Sequence, residues 1–437
     1  MAMGKQLAVL SEKLGVIMTN NPSFKKICVI GLGYVGLPTA AVFASSGLNV
    51  LGVDNNPETI EAINSGKINT TEPDLDVLVN KAMAAGKFRV AHLPEPADAF
   101  IIAVPTPFTT DQTPDLSYIN AVADTLAPVL AADNIVIVES TIPVGSTEHF
   151  SRRLASKRKD LAFPLTDDKE PDICIAHSPE RVLPGQVLVE LTENDRVIGG
   201  ITSRCAKRAA QLYQNIVNGH CFLTTARTAE LVKLAENAYR DVSIAFANEL
   251  ANVSETLSLD PWEVINLANH HPRVNILRPG PGVGGHCIAV DPWFIVSSAP
   301  EDTPLIQAAR GVNDDRPMRV ARKILQIASD LKSPKIACLG LSYKANTNDL
   351  RGSASVEVVK LLAANSYAIT IVEPYINSLP SQLKALKNIC LGSLEEISDE
   401  SDIIALLTDH QVFRELDIST FQNQILVDTR GVWNSVK

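Results

Sequence analysis

Between Lys25 and about Gly200, short continuous apolar runs alternate with stretches of helical period. Residues 27–30, 50–53, 100–104 and 135–138 are apolar without a polar alternate, Asp54 closing the second run (50–54). That pattern predicts strands of a parallel sheet covered on both faces. Residues 74–85 and 118–130 read as helices between them, and 173–176 and 197–199 as further short strands. The rhythm of strand, helix, strand predicts a doubly wound α/β domain.

The pattern changes near Thr225. Residues 227–257 contain neither Gly nor Pro and read as one long helix. At about 100° per residue, Leu231, Ala235, Ala238, Val242 and Phe246 share one face. Lys233, Asn237 and Arg240 share the opposite face, which taken alone reads as a solvated surface. A helix of this length in mid-chain is a natural spine between domains or subunits. From Pro334 a second α/β pattern begins, with strands expected at 335–340, 368–373, 403–407 and 425–428 and a helix at 355–364. The expected fold is therefore α/β, with two Rossmann-like doubly wound domains joined by a helical middle domain with a long central helix. The expected boundaries are an N-terminal extension 1–24, a first α/β domain 25–224, a middle domain 225–325 and a last α/β domain 326–437. The two α/β ends are open to a shared plan, but only the first carries a full glycine fingerprint.

Composition narrows the class of partner. The 437 residues hold 39 Lys+Arg against 49 Asp+Glu, a net charge of −10. A general nucleic-acid binder needs a basic surface, so that class is excluded. A local basic pocket for a phosphorylated small molecule is not. The seven cysteines are scattered with no CxxC pair. This argues against a disulfide scaffold or a structural zinc, assigns no metal, and points to a reducing compartment, the cytoplasm. No apolar run approaches the roughly 18 residues of a bilayer span. Residues 1–24 resemble neither a signal peptide nor an anchor.

The first candidate site is Gly31-Leu-Gly33-Tyr34-Val35-Gly36, directly after a predicted strand and opening a helix. In such a turn the first glycine makes the bend, the second admits a pyrophosphate and the third lets the helix pack closely. The phosphates would meet the N–H groups and dipole of the helix N-terminus. Asp54 ends the second strand, 18 residues after Gly36, where an acid binds the adenosine ribose. An acid there favours NAD over NADP. Thr106 and Thr141 follow later strands, where open parallel sheets bind ligands.

The second candidate is residues 278–292, with Gly280, Gly282, Gly284 and Gly285 ahead of Cys287 and Asp291. Bare backbone on one wall lets a ligand approach, and a thiol at its end is a candidate nucleophile. A buried structural cysteine remains the plain alternative.

Taken together, these motifs resemble the nucleotide-sugar 6-dehydrogenases, the UDP-glucose dehydrogenase family. The resemblance spans Lys25 to the C-terminus. It rests on Gly31–Gly36, Val104-Pro-Thr106-Pro, Glu139-Ser-Thr141 with Gly145-Ser-Thr, and Ser178-Pro-Glu180-Arg181-Val182-Leu-Pro-Gly185. It also rests on Ala229-Glu-Leu-Val-Lys233 with Asn237, Gly284-Gly-His-Cys287, and Lys344 with Asp349 and Arg351. Residues 271–277 with 282–293 resemble its mannosamine branch.

The resemblance implies oxidation of a sugar C6 alcohol to a carboxylate with two NAD⁺. The substrate it implies is UDP-N-acetyl-D-mannosamine, with UDP-N-acetylglucosamine and UDP-glucose as alternatives, for a surface polysaccharide. It gives Cys287 as nucleophile, Lys233 and Asn237 as stabilisers of the oxygen, and Asp291, Glu180 and Thr141 as groups that hold water or move protons. It places Gly31, Gly33, Tyr34, Val35, Gly36, Asp54, Thr106, Thr141 and Arg351 at NAD. Around the UDP-sugar it places Arg181, Val182, Lys233, Asn237, Arg240, His271, Arg273, Gly284, Tyr343, Lys344 and Arg430, with Arg273 serving a neighbouring subunit. A homodimer or dimer-based oligomer follows. A β-hydroxyacid dehydrogenase would need neither Cys287 nor a second α/β domain. A non-catalytic NAD-responsive binding protein would turn over no UDP-sugar.

Overall fold

The computed structural model describes residues 24–68, 72–109, 113–165, 170–183, 185–285 and 287–433. The expected N-terminal extension, apart from Phe24, lies outside them. The chain divides into two units. The first comprises residues 1–235 with 293–298, and the second residues 236–292 with 299–437.

The first unit is built on a sheet of eight strands: β1 (Lys26–Ile30), β2 (Asn49–Val53), β3 (Phe88–Ala91), β4 (Ala99–Ile102), β5 (Ile135–Val138), β6 (Cys174–His177), β7 (Arg196–Gly200) and β8 (Cys221–Thr225). Their order is β3-β2-β1-β4-β5-β6-β7-β8. Neighbours are parallel except β6 and β7. Side chains alternate between two cores: Ile27 and Val29 enter one, Cys28 and Ile30 the other. Both faces are therefore apolar, which explains the unbroken runs in the sequence.

The second unit carries a five-stranded parallel sheet: β9 (Lys335–Leu339), β10 (Ala368–Val372), β11 (Ile389–Leu391), β12 (Ile403–Leu406) and β13 (Ile425–Asp428), in the order β11-β10-β9-β12-β13. Here too alternate residues serve two cores, Ile336 and Cys338 against Ala337 and Leu339. The doubly wound expectation for both ends is met. In each sheet the order reverses at its first strand, and a crevice at the carboxyl ends is where such folds bind ligands.

Some elements escaped the sequence pattern. The edge strands β3, β8 and β11 are only partly buried, so they lack a continuous apolar run. The 26-residue helix Pro304–Ser329 runs through Pro317, which in sequence reads as a breaker.

The long helix is Ala226–Thr256, close to the expected span, but its faces match the expectation only in part: Ala238 is buried and Arg240 exposed as expected, while other positions are exchanged. Leu231 is 45% and Phe246 56% exposed. Glu230, Asn237, Asp241 and Asn248 are buried instead. Burial of polar groups is tolerable when they find partners, and each of these does, although Asp241 Oδ2 has none among the described residues. Glu230 accepts from Gly145 N (2.6 Å) and Thr147 N (2.8 Å). Asp241 binds Arg310 at 2.6 Å and Asn313 at 2.8 Å. Asn248 accepts from Gly280 N at 2.9 Å. The solvated reading of this face is thus corrected at Asn237, which is buried, while Lys233 is half-buried and Arg240 exposed; the partners that bury such groups lie on other elements, invisible to periodicity.

Candidate active site

In the first unit, the glycine turn has the geometry its sequence requires. Gly31 has φ +91°, and a Cβ there would lie 2.7 Å from the Ala103 carbonyl oxygen. A Cβ at Gly36 would lie 1.8 Å from Gly31 O, while Gly33 faces open space. Val35 precedes the helix Gly36–Ser45. Asp54 follows β2, half-buried; it accepts from Leu32 N at 2.8 Å and Asn56 N at 2.9 Å. Tyr34 donates its hydroxyl to the buried Glu72 at 2.7 Å, and Glu72 also accepts from Val187 N. Thr106 Oγ1 donates to Thr141 O at 2.6 Å, tying the loops after β4 and β5 together. An open backbone wall, a helix N-terminus and an acid at the second strand fit a dinucleotide.

The same unit holds a buried charge network at the carboxyl ends of β5 and β6 and the start of the antiparallel β7. Arg196 reaches Glu180 at 2.7 Å and Glu139 at 3.3 Å. Its guanidinium lies 4.3 Å over the Tyr213 ring, and Tyr213 donates to Glu139 at 2.7 Å. Burial pushes the Glu139 carboxyl up to about 7, against the pull of Arg196. Beside it, His177 ends β6 with its ring fully buried. Burial, with a smaller contribution from the charge of Lys233, lowers it to about 3, so the ring is neutral. Arg181 donates to the Asp195 carbonyl, and Val182 packs against the apolar core. Lys233 is half-buried, one turn beyond Glu230 on the long helix.

In the second unit, Asn237 donates to Asp291 and accepts from Arg240. Cys287 is exposed. Its carbonyl accepts from Val290 N at 3.0 Å and Asp291 N at 2.9 Å, which sets the thiol one turn ahead of the helix Asp291–Ser298. The glycine loop rests on the segment after β9. Gly285 N donates to Arg351 O at 3.2 Å, and a Cβ at Gly284 would meet Tyr343 Cβ at 2.8 Å. Burial raises the Tyr343 phenol, with Asp349 and Cys287 adding to the effect. Arg351 pairs with Asp349 at 2.6 Å. Lys344 Nζ lies 5.9 Å over the Tyr343 ring. Arg430 pairs with Asp409 at 2.9 Å. His271 and Arg273 are exposed, with Arg273 N 3.4 Å from His271 Nδ1. The second unit thus brings Cys287, Gly284, Tyr343 and Arg351 together, and links Asn237 and Arg240 to Cys287 through Asp291.

Residues 25–217 match the NAD binding domain of the UDP-glucose/GDP-mannose dehydrogenase family, 227–315 its central domain and 337–435 its UDP binding domain. The chain belongs to this family. It is 52% identical over 413 residues to an NDP-N-acetyl-D-galactosaminuronic acid dehydrogenase of Ralstonia nicotianae, covering 94% of this chain and 97% of that protein. It is also 52% identical over 395 residues to a UDP-N-acetyl-D-mannosamine dehydrogenase of Campylobacter jejuni, covering 90% and 97%. A solved UDP-D-ManNAc dehydrogenase from Pyrococcus horikoshii superposes with a TM-score of 0.83 at 38% identity, over 93% of this chain and 96% of that one.

As a nucleotide-sugar dehydrogenase, the chain is an NAD-dependent oxidoreductase. Two groups beside the candidate residues were missed in the sequence. Arg196 carried no motif of its own, yet it holds Glu180 and Glu139 together. Glu373 and His410 sit behind Tyr343, and only the three-dimensional contacts reveal them.

Proposed function

We propose that this enzyme oxidises C6 of UDP-N-acetyl-D-mannosamine to the uronate in two successive hydride transfers. NAD⁺, when bound, accepts one hydride in each. Gly31, Gly33, Tyr34, Val35, Gly36, Asp54, Thr106 and Thr141 are the groups suited to hold it, with Arg351 a further cation for it. Asp54 disfavours a 2′-phosphate by charge.

Each chemical step has a side chain fitted to it. Lys233 takes the proton of the C6 hydroxyl and afterwards balances charge on that oxygen. Asn237 donates one amide hydrogen to Asp291 and has a second for the same oxygen. The Cys287 thiolate adds to the aldehyde carbon, giving a thiohemiacetal. Loss of the second hydride gives a thioester. Water then attacks the acyl carbon, the C–S bond breaks, and the thiolate returns. Asp291, Glu180 and Thr141 hold that water or take its proton. Arg181, Val182, Arg240, His271, Arg273, Gly284, Tyr343, Lys344 and Arg430 form the substrate set, in which the cations suit a diphosphate.

The observation that carries this reading is the exposed thiol of Cys287 on a glycine loop bonded to the Arg351 carbonyl of the UDP binding domain. The family matches support a division into 25–224, 225–325 and 326–437. They also support work on a cytoplasmic nucleotide sugar, with seven cysteines outside any disulfide. No helix among the described residues is long and apolar enough to cross a membrane. The exposed apolar stripe of the long helix supports a homodimer.

The Ralstonia relative favours a second substrate reading, a galacto-configured sugar. A panel of UDP-N-acetylhexosamines and UDP-glucose with NAD⁺, counting NADH per sugar, decides between them. The manno epimer should give the highest kcat/KM and two NADH. Faster oxidation of another sugar overturns the substrate. Two NADH per sugar in Cys287→Ala overturns the mechanism.

A further inference from the structure

The turn after β9 repeats the turn after β1. Leu339-Gly340-Leu341-Ser342-Tyr343 parallels Ile30-Gly31-Leu32-Gly33-Tyr34, and Gly340 and Gly31 both have φ +91°. Gly31 N donates to Val53 O at 2.8 Å, and Gly340 N to Val372 O at 2.9 Å. In both sheets an acid ends the next strand, Asp54 in one and Glu373 in the other. Their surroundings differ. Asp54 is half-buried with one backbone donor on each oxygen. Glu373 is 4% exposed, and both its oxygens are occupied. Oε2 accepts from Leu341 N at 2.7 Å, Ser342 N at 3.1 Å and His410 Nε2 at 3.0 Å, while Oε1 accepts from Tyr375 N. The second acid is buried, with three donors on Oε2 where each Asp54 oxygen has one.

His410 is fully buried and joined on both sides. Asn346 N donates to its Nδ1 at 2.9 Å, so Nδ1 carries no proton and Nε2–H points at Glu373. The surrounding groups complete the turn. Ser353 Oγ donates to Leu341 O, Thr408 Oγ1 to Ser342 O at 2.8 Å, and Ser342 Oγ to Lys344 O at 2.7 Å. The backbone from Leu341 to Asn346 is therefore pinned at six points, and Tyr343 and Lys344 project from its middle. Tyr343 in turn meets Gly284 and Gly285 of the Cys287 loop.

We propose that His410 and Glu373 are positioning residues: the pair clamps the turn carrying Tyr343 and Lys344, and through it sets the Cys287 loop for the UDP-sugar. Burial alone would raise the Glu373 carboxyl, but His410 and the backbone N–H groups hold it below the ordinary carboxylate range. It is anionic as the clamp requires. Loss of the imidazole leaves Asn346 N and a buried carboxylate oxygen short of partners, and the turn relaxes to find others. A shift of about 1 Å in a positioning group can cost on the order of a hundredfold.

The inference rests on the UDP-sugar reading, and the test separates the two. UDP is titrated calorimetrically into the full-length enzyme and its His410→Ala and His410→Gln variants, and steady-state KM is measured for both substrates. Gln can donate and accept where the imidazole does. His410→Ala should weaken UDP binding and raise the KM for UDP-sugar by about tenfold or more, with the KM for NAD⁺ within about twofold. His410→Gln should recover most of the loss. Alkylation of Cys287, followed by peptide mass, should change rate in His410→Ala. If His410→Ala does not fold, Glu373→Gln carries the same expectations. Wild-type enzyme that fails to bind UDP overturns the functional reading itself. Unchanged UDP affinity in the Ala variant, or equal losses in Ala and Gln, overturns the clamp alone.

Discussion

Glu139 lies at the end of β5 with its side chain wholly out of water, one hydroxyl and one guanidinium its main partners. Its carboxyl is raised from about 4.5 in the ordinary state to about 7 in the fold. Between those values the folded chain keeps a proton that the unfolded chain has lost. Stability contributed by this group therefore falls as pH rises through that window, and levels off above it. Glu139→Gln, which cannot ionise, should lose this part of the decline. Melting temperatures of wild type and variant, compared from about pH 5 to pH 8, check it. Parallel curves would show that another group titrates. At this scale Cys287 and Asp54 were legible in the sequence because glycines and spacing flag them, whereas Lys233 came only from the family resemblance. Arg196 and His410 were not, because a lone buried polar side chain leaves no periodic trace.

The long helix shows how an element can mislead. Its apolar stripe, Leu231 to Phe246, looked like the buried face, and its polar stripe looked solvated. The fold buries the polar Asp241 because the helix Pro304–Ser329 supplies Arg310 and Asn313 to meet it, and Asn313 donors reach both its carbonyl and carboxylate. Burial raises the Asp241 carboxyl, with Arg310 opposing. Arg310 is 2% exposed, so removing its partner strands a buried cation. Asp241→Ala should destabilise the fold by about 3–5 kcal/mol, the usual cost of breaking a buried pair from one side. Denaturant unfolding of the full chain measures it, and a loss below about 1 kcal/mol would mean that the neighbouring Asp314 satisfies Arg310 alone.

At the scale of the whole molecule, the exposed apolar residues on the long helix ask for a cover. Phe246 is 56%, Val253 47% and Leu257 61% exposed. Val253 and Leu257 also line a groove of about 530 Å³ with Ala308, Gly311 and Val312 of the helix Pro304–Ser329. An isologous dimer would bury this face against its own copy. Sedimentation of the wild type should show a dimer or its multiple at assay concentration, and Phe246→Asp with Val253→Asp should shift it toward monomer. Active wild-type monomers would refute the assembly. By itself, the sequence determined the inner strands of both α/β sheets, the glycine turn with Asp54 and the cysteine loop. Each is a local pattern: continuous apolar runs for strands buried on two faces, and glycines where backbone must bend or meet a ligand. Only the tertiary structure decided which face of the long helix is buried and which partners satisfy Glu180, Asp241 and Glu373. It alone showed that the second turn, so like the first, has its acid closed off by His410. Those outcomes depend on groups 16 to 72 residues apart in the chain, and pairing across such distances is an energetic choice that no local period records.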